Sequence, residues 1–179
     1  ELINNDRVVG GINESSSKKA FDFYKTFCRG NIEISDSKTA EMVKLIENSY
    51  RDTNLAFANE ISIICEKQGI DVNKLISIAN KHPRVNILKP GCGVGGHCIA
   101  VDPWFLVSQN IKESNLLITA RKVNDQKANW VIKKIQAKGE SLKKEIGRVP
   151  NIGLMGITFK ANVTDIRNSP ALEIIKALT

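Results

Sequence analysis

The segment Pro90–Pro103, PGCGVGGHCIAVDP, carries more chemistry for its length than any other. Cys98 follows a run of glycines, and a thiol near a helix start or beside a cation is biased toward the thiolate. Such a thiolate can attack a carbonyl carbon; a buried, inert thiol is the alternative open to any lone cysteine. Asp102 stands four residues on, so a helical turn would bring its carboxylate near the sulfur. It is equally suited to cap a helix with Pro103 at its first position, and the two roles are compatible. Gly91, Gly93 and Gly96 satisfy the spacing G-x-G-x-x-G. The dinucleotide reading of that spacing is rejected, because the fingerprint must follow a strand and open a helix. Here Pro90 precedes the first glycine and Pro103 interrupts any helix soon after the last. The glycines Gly91, Gly93 and Gly95 are expected to let backbone approach a ligand closely, a glycine-rich surface loop being the plainer alternative. Cys92, His97 and Cys98 form C-x4-H-C, but no fourth ligand stands at a spacing usual for zinc. No metal site is expected.

Further candidates lie outside this loop. Lys44, Asn48 and Asp52 fall on one helix face by i, i+4 spacing, with Asn59 close to it. An ammonium and an amide side by side can stabilise an oxyanion; the same residues can equally be a solvated helix side, and spacing leaves both open. Arg84 and Asn86 precede the glycines, and Arg84 is suited to bidentate recognition of phosphate or hydroxyl groups. His82 has no visible partner and is expected at the surface. Phe159-Lys160 and Arg167 follow the glycine-bearing stretch Val149–Phe159, where ligands of open α/β sheets bind if that stretch is a strand.

The elements that must position these residues are readable in outline. Asp6–Ile12 and Asn31–Asp36 read as strands around a helix near Ser17–Phe27, a strand–helix–strand order like the tail of an α/β sheet. Its other strands would precede residue 1, and the chain does not begin with Met. Asp36 or Ser37 can cap a helix to about Gln68, with Ala40, Val43, Ile46, Tyr50, Phe57, Ile61, Ile64 and Cys65 at helical period and Gly69 ending it. Asp71 opens a shorter helix to about Asn80. The stretch 81–102, with prolines 83 and 90, reads as loop. A helix follows to about Asn110, then a long one from Glu113 to about Lys144 that could break at Asp125 or Gly139. Val149–Phe159 is predicted as a strand, and Ser169-Pro170 opens a last helix. The expected fold class is a mostly α central dimerisation domain, residues 37–146, flanked by truncated Rossmann-like α/β pieces, residues 1–36 and 147–179. Helices of ~30 residues are long for a small domain, and such a helix often packs on a copy of itself, so a homodimer is expected.

Composition narrows the partners. The 179 residues are 42% apolar and 25% charged, ordinary for a globular protein. No apolar run approaches the ~18–20 residues of a membrane span, and ELINNDRVVGG has no signal-peptide pattern. The net charge of +7 suits nucleic acid or an anionic small molecule. The lysines are dispersed, paired at Lys18-Lys19, Lys133-Lys134 and Lys143-Lys144, and no stacking groups accompany them, so neither nucleic acid nor membrane is expected as a partner. Of the four cysteines, Cys28 and Cys65 sit in apolar runs and read as core residues. Four are too few for a disulfide scaffold, which points to a reducing cytoplasm.

Taken together, AEMVKLIENSYRDTNLAFANE, HPRVNILKPGCGVGGHCIAVDPWF and GLMGITFKANVTDIRNSP resemble the UDP-glucose/GDP-mannose dehydrogenase family, over nearly the whole chain and in the same order. GGHCIAVDPWF looks like the branch acting on UDP-N-acetyl-D-mannosamine or a related UDP-N-acetylhexosamine. The resemblance implies oxidation of a C6 alcohol to a carboxylate with two NAD, through a cysteine thioester. It implies Cys98 as nucleophile, with Lys44, Asn48 and Asp102 as catalytic partners. It implies that Arg84 reaches the sugar across a dimer interface, that Asn86, the loop glycines, Phe159 and Lys160 bind substrate, and that Arg167 lies near the cofactor. UDP-glucose members commonly carry a lysine before the motif aspartate; Val101 stands there, so any role of that lysine is absent. The family's main NAD-binding domain would lie upstream and most of its UDP-binding domain downstream, so the piece alone is expected to be inactive.

Overall fold

The computed structural model describes residues 2–179 and is mostly helical. The chain divides into two compact units, residues 1–47 and 48–179.

In the first unit, strand β1 (Arg7–Gly11) and strand β2 (Ile32–Asp36) pair in parallel, with Val9 opposite Ile34. Parallel neighbours need a crossover, supplied by helix α1 (Glu14–Lys25). Asn13 caps α1, its side chain accepting from the Ser16 amide at 2.9 Å. Ser17, buried, ties the helix to both strands: its hydroxyl accepts from the Gly11 amide at 2.9 Å and donates to the Ser35 carbonyl at 3.1 Å. Cys28, expected in the core, is half-buried instead and accepts from Arg7 Nε at 3.2 Å. Helix α2 (Ser37–Lys67) starts here. Asp36 accepts from the Thr39 amide and hydroxyl at 2.9 and 2.7 Å, which satisfies orphan donors of the first turn.

The second unit holds the rest of α2, α3 (Val72–Ala79), α4 (Asp102–Gln109), a 3-10 turn (Ile111–Glu113), α5 (Asn115–Ile146) and α6 (Pro170–Leu178). Gly69, at φ +70°, stops α2 with the Ile70 amide bonded back to the Cys65 carbonyl at 2.8 Å. Side-chain pairs Asp52–Arg121, Asn59–Asn124, Ser62–Lys127 and Glu66–Lys134 climb both helices together, so α2 and α5 run side by side in the same sense. The α6 helix rests on α5 through Ile174, 3% exposed.

The face that α2 buries differs from the apolar pattern of its sequence. Asn48, Ser49, Asp52, Ala56 and Asn59 are inside, whereas Tyr50, Phe57 and Ile64 are 68%, 49% and 44% exposed. The polar face wins because α5 answers it with polar groups of its own. Asp52 Oδ1 accepts from Arg121 Nη1 at 2.6 Å and from Asn124 Nδ2 at 2.8 Å. Arg121 also binds Asp125 one turn on. Burial pushes the Asp52 carboxyl up, against the pull of Arg121 and Asn124. Desolvation thus outweighs attraction, and the pair places the helices more than it stabilises them.

Three further expectations are corrected. Asp102 is the first residue of α4 rather than its cap, which is Val101. Helix α5 is unbroken through Asp125 and Gly139 and ends at Gly147, φ +72°. Val149–Phe159 forms no strand: no neighbour among the described residues pairs with its backbone, and Ile152, Leu154, Met155 and Ile157 stand 50%, 40%, 101% and 43% exposed.

Arg121→Met leaves the Asp52 carboxylate buried and unpaired, and is expected to lower stability by about 3–5 kcal/mol in urea unfolding; Asp52→Leu/Arg121→Met recovers most of it. A single-variant loss under ~1 kcal/mol contradicts this account of the pair.

Candidate active site

The loop carrying Cys98 folds into the first turn of α4. The Cys98 carbonyl accepts from the Val101 and Asp102 amides at 2.9 and 2.8 Å, and its thiol side is exposed. Asp102 faces α2 rather than bonding the sulfur. Its Oδ2 accepts from Asn48 Nδ2 at 2.5 Å, and Asn48 is only 3% exposed. An amide nitrogen has two hydrogens, so Asn48 keeps one N–H beyond the Asp102 bond. Lys44 precedes Asn48 by one turn of the same helix, 65% exposed and paired with Glu47 at 3.6 Å. An ion pair so exposed is weak and readily exchanged. Asn48, Cys98 and Asp102 are thus brought into one neighbourhood.

The glycines do something other than what their spacing suggested. A Cβ on Gly95 would stand 2.1 Å from the Asn168 carbonyl oxygen, and one on Gly96 2.9 Å from the Phe159 ring. The Gly96 amide donates to the Asn168 carbonyl at 3.3 Å. The close approach they permit is that of the chain's own segment 159–170, with Pro170 3.0 Å from the Cβ position of Gly93. Gly91 alone stays open, and its amide donates to Asn59 Oδ1 at 2.8 Å.

Phe159 is half-buried and edge-on to His97, with ring centroids 6.2 Å apart. Lys160 is exposed, its amine 5.8 Å from the Phe159 centroid. Arg167 Nε and Nη2 bond Asp165 at 2.6–3.0 Å, and His97 Nδ1 stands 3.7 Å from the same carboxylate. The Arg167 bonds hold the Asp165 carboxyl down at about 2. Arg84 and Asn86 are both exposed, in a loop closed by Asn80, whose side chain donates to the Ile87 carbonyl and accepts its amide at 3.0 and 2.8 Å. The Arg84 amide donates to His82 Nδ1 at 3.3 Å. No hydrogen bond ties the Arg84 or Asn86 side chain to Cys98 among the described residues.

Sequence reasoning missed Arg121, Asn124 and Lys127. Their i, i+3 recurrence on α5 was the available signal, a polar stripe on a helix whose burial was unknown. Lys127 is 3% exposed, donates to Ser62 Oγ at 2.6 Å and lies 3.8 Å from the Trp130 centroid; burial pushes its amine down. Burial likewise pushes the half-buried Cys92 thiol up. No group of three or more His, Cys, Asp or Glu among the described residues is placed to hold a metal ion, and none of their helices is long and apolar enough to cross a membrane.

Comparison with known proteins gives this geometry its setting. The model of the UDP-glucose/GDP-mannose dehydrogenase family, central domain, matches residues 38–126. The UDP-N-acetyl-D-mannosamine dehydrogenase of Campylobacter jejuni is 53% identical over 175 residues, covering 98% of this chain and 42% of that protein. The NDP-N-acetyl-D-galactosaminuronic acid dehydrogenase of Ralstonia solanacearum is 49% identical over 178 residues, covering 99% of this chain and 41% of the relative. Among solved structures, the UDP-D-ManNAc dehydrogenase of Pyrococcus horikoshii superposes with a TM-score of 0.87 at 36% identity, over 98% of this chain and 42% of the other. The UDP-N-acetyl-mannosamine dehydrogenase of S. aureus gives 0.84 at 40% identity, over 99% and 41%. The chain belongs to the UDP-glucose/GDP-mannose dehydrogenase family, and spans about 42% of the length of the relatives it matches.

Arg167→Gln frees Asp165 from its guanidinium. Its carboxyl is expected to shift upward from about 2 toward the usual 3.8, with the residue-167 amide still holding it partly down, read by NMR of the side-chain carboxyl. The stabilisation from this pair is present above the unfolded-chain value and is lost as pH falls through the lower folded one. An unchanged titration in the variant contradicts it.

Proposed function

We propose that this chain supplies the catalytic centre of an NAD-dependent nucleotide-sugar 6-dehydrogenase. It oxidises the C6 alcohol of UDP-N-acetyl-D-mannosamine, or a related UDP-N-acetylhexosamine, to the uronate. The observation that carries the proposal is the Asn48–Asp102 hydrogen bond one turn beyond the exposed Cys98. It joins a nucleophile, a carboxylate and an amide in a chain half identical to dehydrogenases of such sugars.

NAD, when bound, accepts hydride from C6. Arg167, 70% exposed, fits an anionic pyrophosphate once it exchanges Asp165 for it. The chain spans about 42% of its relatives' length; the principal cofactor domain is assigned to the upstream part of the enzyme and the rest of the UDP-binding domain to the downstream part. Residues 1–36, 37–146 and 147–179 then belong to the cofactor, central and UDP-binding domains in turn.

In the first oxidation C6 loses a hydride and its hydroxyl loses a proton to a solvent water, leaving an aldehyde. The Cys98 thiolate adds to the aldehyde carbon, and the carbonyl electrons move onto oxygen. The free N–H of Asn48 and the Lys44 ammonium are donors suited to that oxygen; loss of one such donor typically costs ~10²–10³ in rate. A second hydride leaves C6, the C=O re-forms, and a thioester remains. Water adds to it, the C–S bond breaks, and thiolate and carboxylate part. Asp102, oriented by Asn48, takes one proton of that water, and the other passes to solvent. Gly91, Phe159, Lys160 and, from a second copy, Arg84 and Asn86 complete the sugar and phosphate contacts. That copy docks on the α2 face bearing Tyr50, Phe57 and Ile64, exposed at seven-residue spacing, which makes the enzyme a homodimer. It works in the cytoplasm, with neither nucleic acid nor membrane as partner.

The full-length enzyme is expected to release two NADH per UDP-N-acetyl-D-mannosamine, and Cys98→Ser to stall after the first oxidation. Wild-type turnover by Cys98→Ser overturns the thioester route. Tyr50→Glu/Phe57→Glu is expected to halve the sedimentation mass; an unchanged mass removes the α2 interface.

A further inference from the structure

The loop bearing Cys98 is staked to one face of α2 at both ends. At its end, Asp102 accepts from Asn48; at its start, the Gly91 amide donates to Asn59 Oδ1 at 2.8 Å. Asn48 and Asn59 are eleven residues apart on α2, about 16 Å along a rigid rod. Gly91 and Asp102 are likewise eleven residues apart, so moving either stake moves the thiol.

The two stakes are supported differently. Asn59 is fully buried and donates Nδ2 to Asn124 Oδ1 at 2.9 Å. Asn124, 1% exposed, donates onward to Asp52 Oδ1 at 2.8 Å and to the Asp52 carbonyl at 3.0 Å. Arg121 meets the same Asp52 oxygen from the other side. Every donor in the series Gly91, Asn59, Asn124 points toward one carboxylate. Hydrogen bonds aligned in this way polarise one another inside a protein, and the anion fixes which way each amide faces. Asn59 must then present its oxygen, not its nitrogen, to the loop.

We propose that Asn59, oriented by Asn124 and the Asp52–Arg121 pair, is a positioning residue that sets the height of the Cys98 thiol over Asn48 and Asp102. This rests on the dehydrogenase reading of Cys98. Asn59 touches no reacting atom. It acts through the Gly91 amide, and it makes α5 part of the active-site scaffold although no α5 side chain belongs to the catalytic set.

The test uses Asn59→Ala in the full-length enzyme, with Cys65→Ala as control. Cys65 is buried on the same helix, 3% exposed, so the control removes α2 packing without removing the bond to the Gly91 amide. Asn59→Ala is expected to lower kcat at least tenfold with KM for the sugar nucleotide within about threefold. It is also expected to change the pH profile of Cys98 alkylation by iodoacetamide, measured far below the melting temperature; Cys65→Ala changes none of these. Should Asn59→Ala fold poorly, Asn124→Asp keeps the shape of the relay but sets a carboxylate beside Asp52, and the same alkylation profile is expected to shift. A folded Asn59→Ala with wild-type kcat and alkylation profile overturns the proposal, as does a variant whose only change is a lower melting temperature. Loss of the second NADH in Cys98→Ser alongside those outcomes leaves the dehydrogenase reading standing, so the two claims fail separately.

Discussion

A carboxylate sealed between two helices has to be answered, and here Asp52 is answered by Arg121 and Asn124. That requirement fixes the register of α2 against α5. It also turns the polar face of α2 inward, so Asn48 and Asn59 reach the loop from a buried and therefore rigid position. An exposed asparagine would lose its orientation to water; a buried one is held by the cost of leaving its partners unmet. The candidate site thus inherits its geometry from an interaction that takes no part in chemistry.

The same inversion leaves the other α2 face apolar and open. Tyr50, Phe57 and Ile64 would be an aggregation hazard on a monomer and are natural core for a dimer. One helix thus divides its labour by face, polar inward toward the thiol loop and apolar outward.

The sequence made the elements with strong punctuation legible. Gly69, Asp71 and Ser169-Pro170 each mark an end the structure keeps, because caps and breakers act locally. Cys98, Asn48 and Asp102 were legible as a set through a family resemblance, and spacing alone left their neighbourhood open. What was illegible depended on partners distant in sequence. Asp52 and Arg121 lie far apart in the chain, so neither could be known to be buried until both were placed. Val149–Phe159 has strand composition, but a strand needs a neighbour, and none among the described residues pairs with it. The loop glycines suggested room for a ligand, and Asn168, Pro170 and Phe159 fill that room for Gly93, Gly95 and Gly96. A Cβ clash against a residue far along the chain leaves no local trace.

The central claim, that Cys98 carries the sugar covalently between two oxidations, is tested most directly by acid-quenching the full-length enzyme during turnover of UDP-N-acetyl-D-mannosamine and weighing its peptides. The account predicts a sugar-nucleotide acyl mass on the peptide containing Cys98, absent when NAD is omitted. Steady turnover with that peptide unmodified at every quench time, or with the mass on another residue, would contradict it.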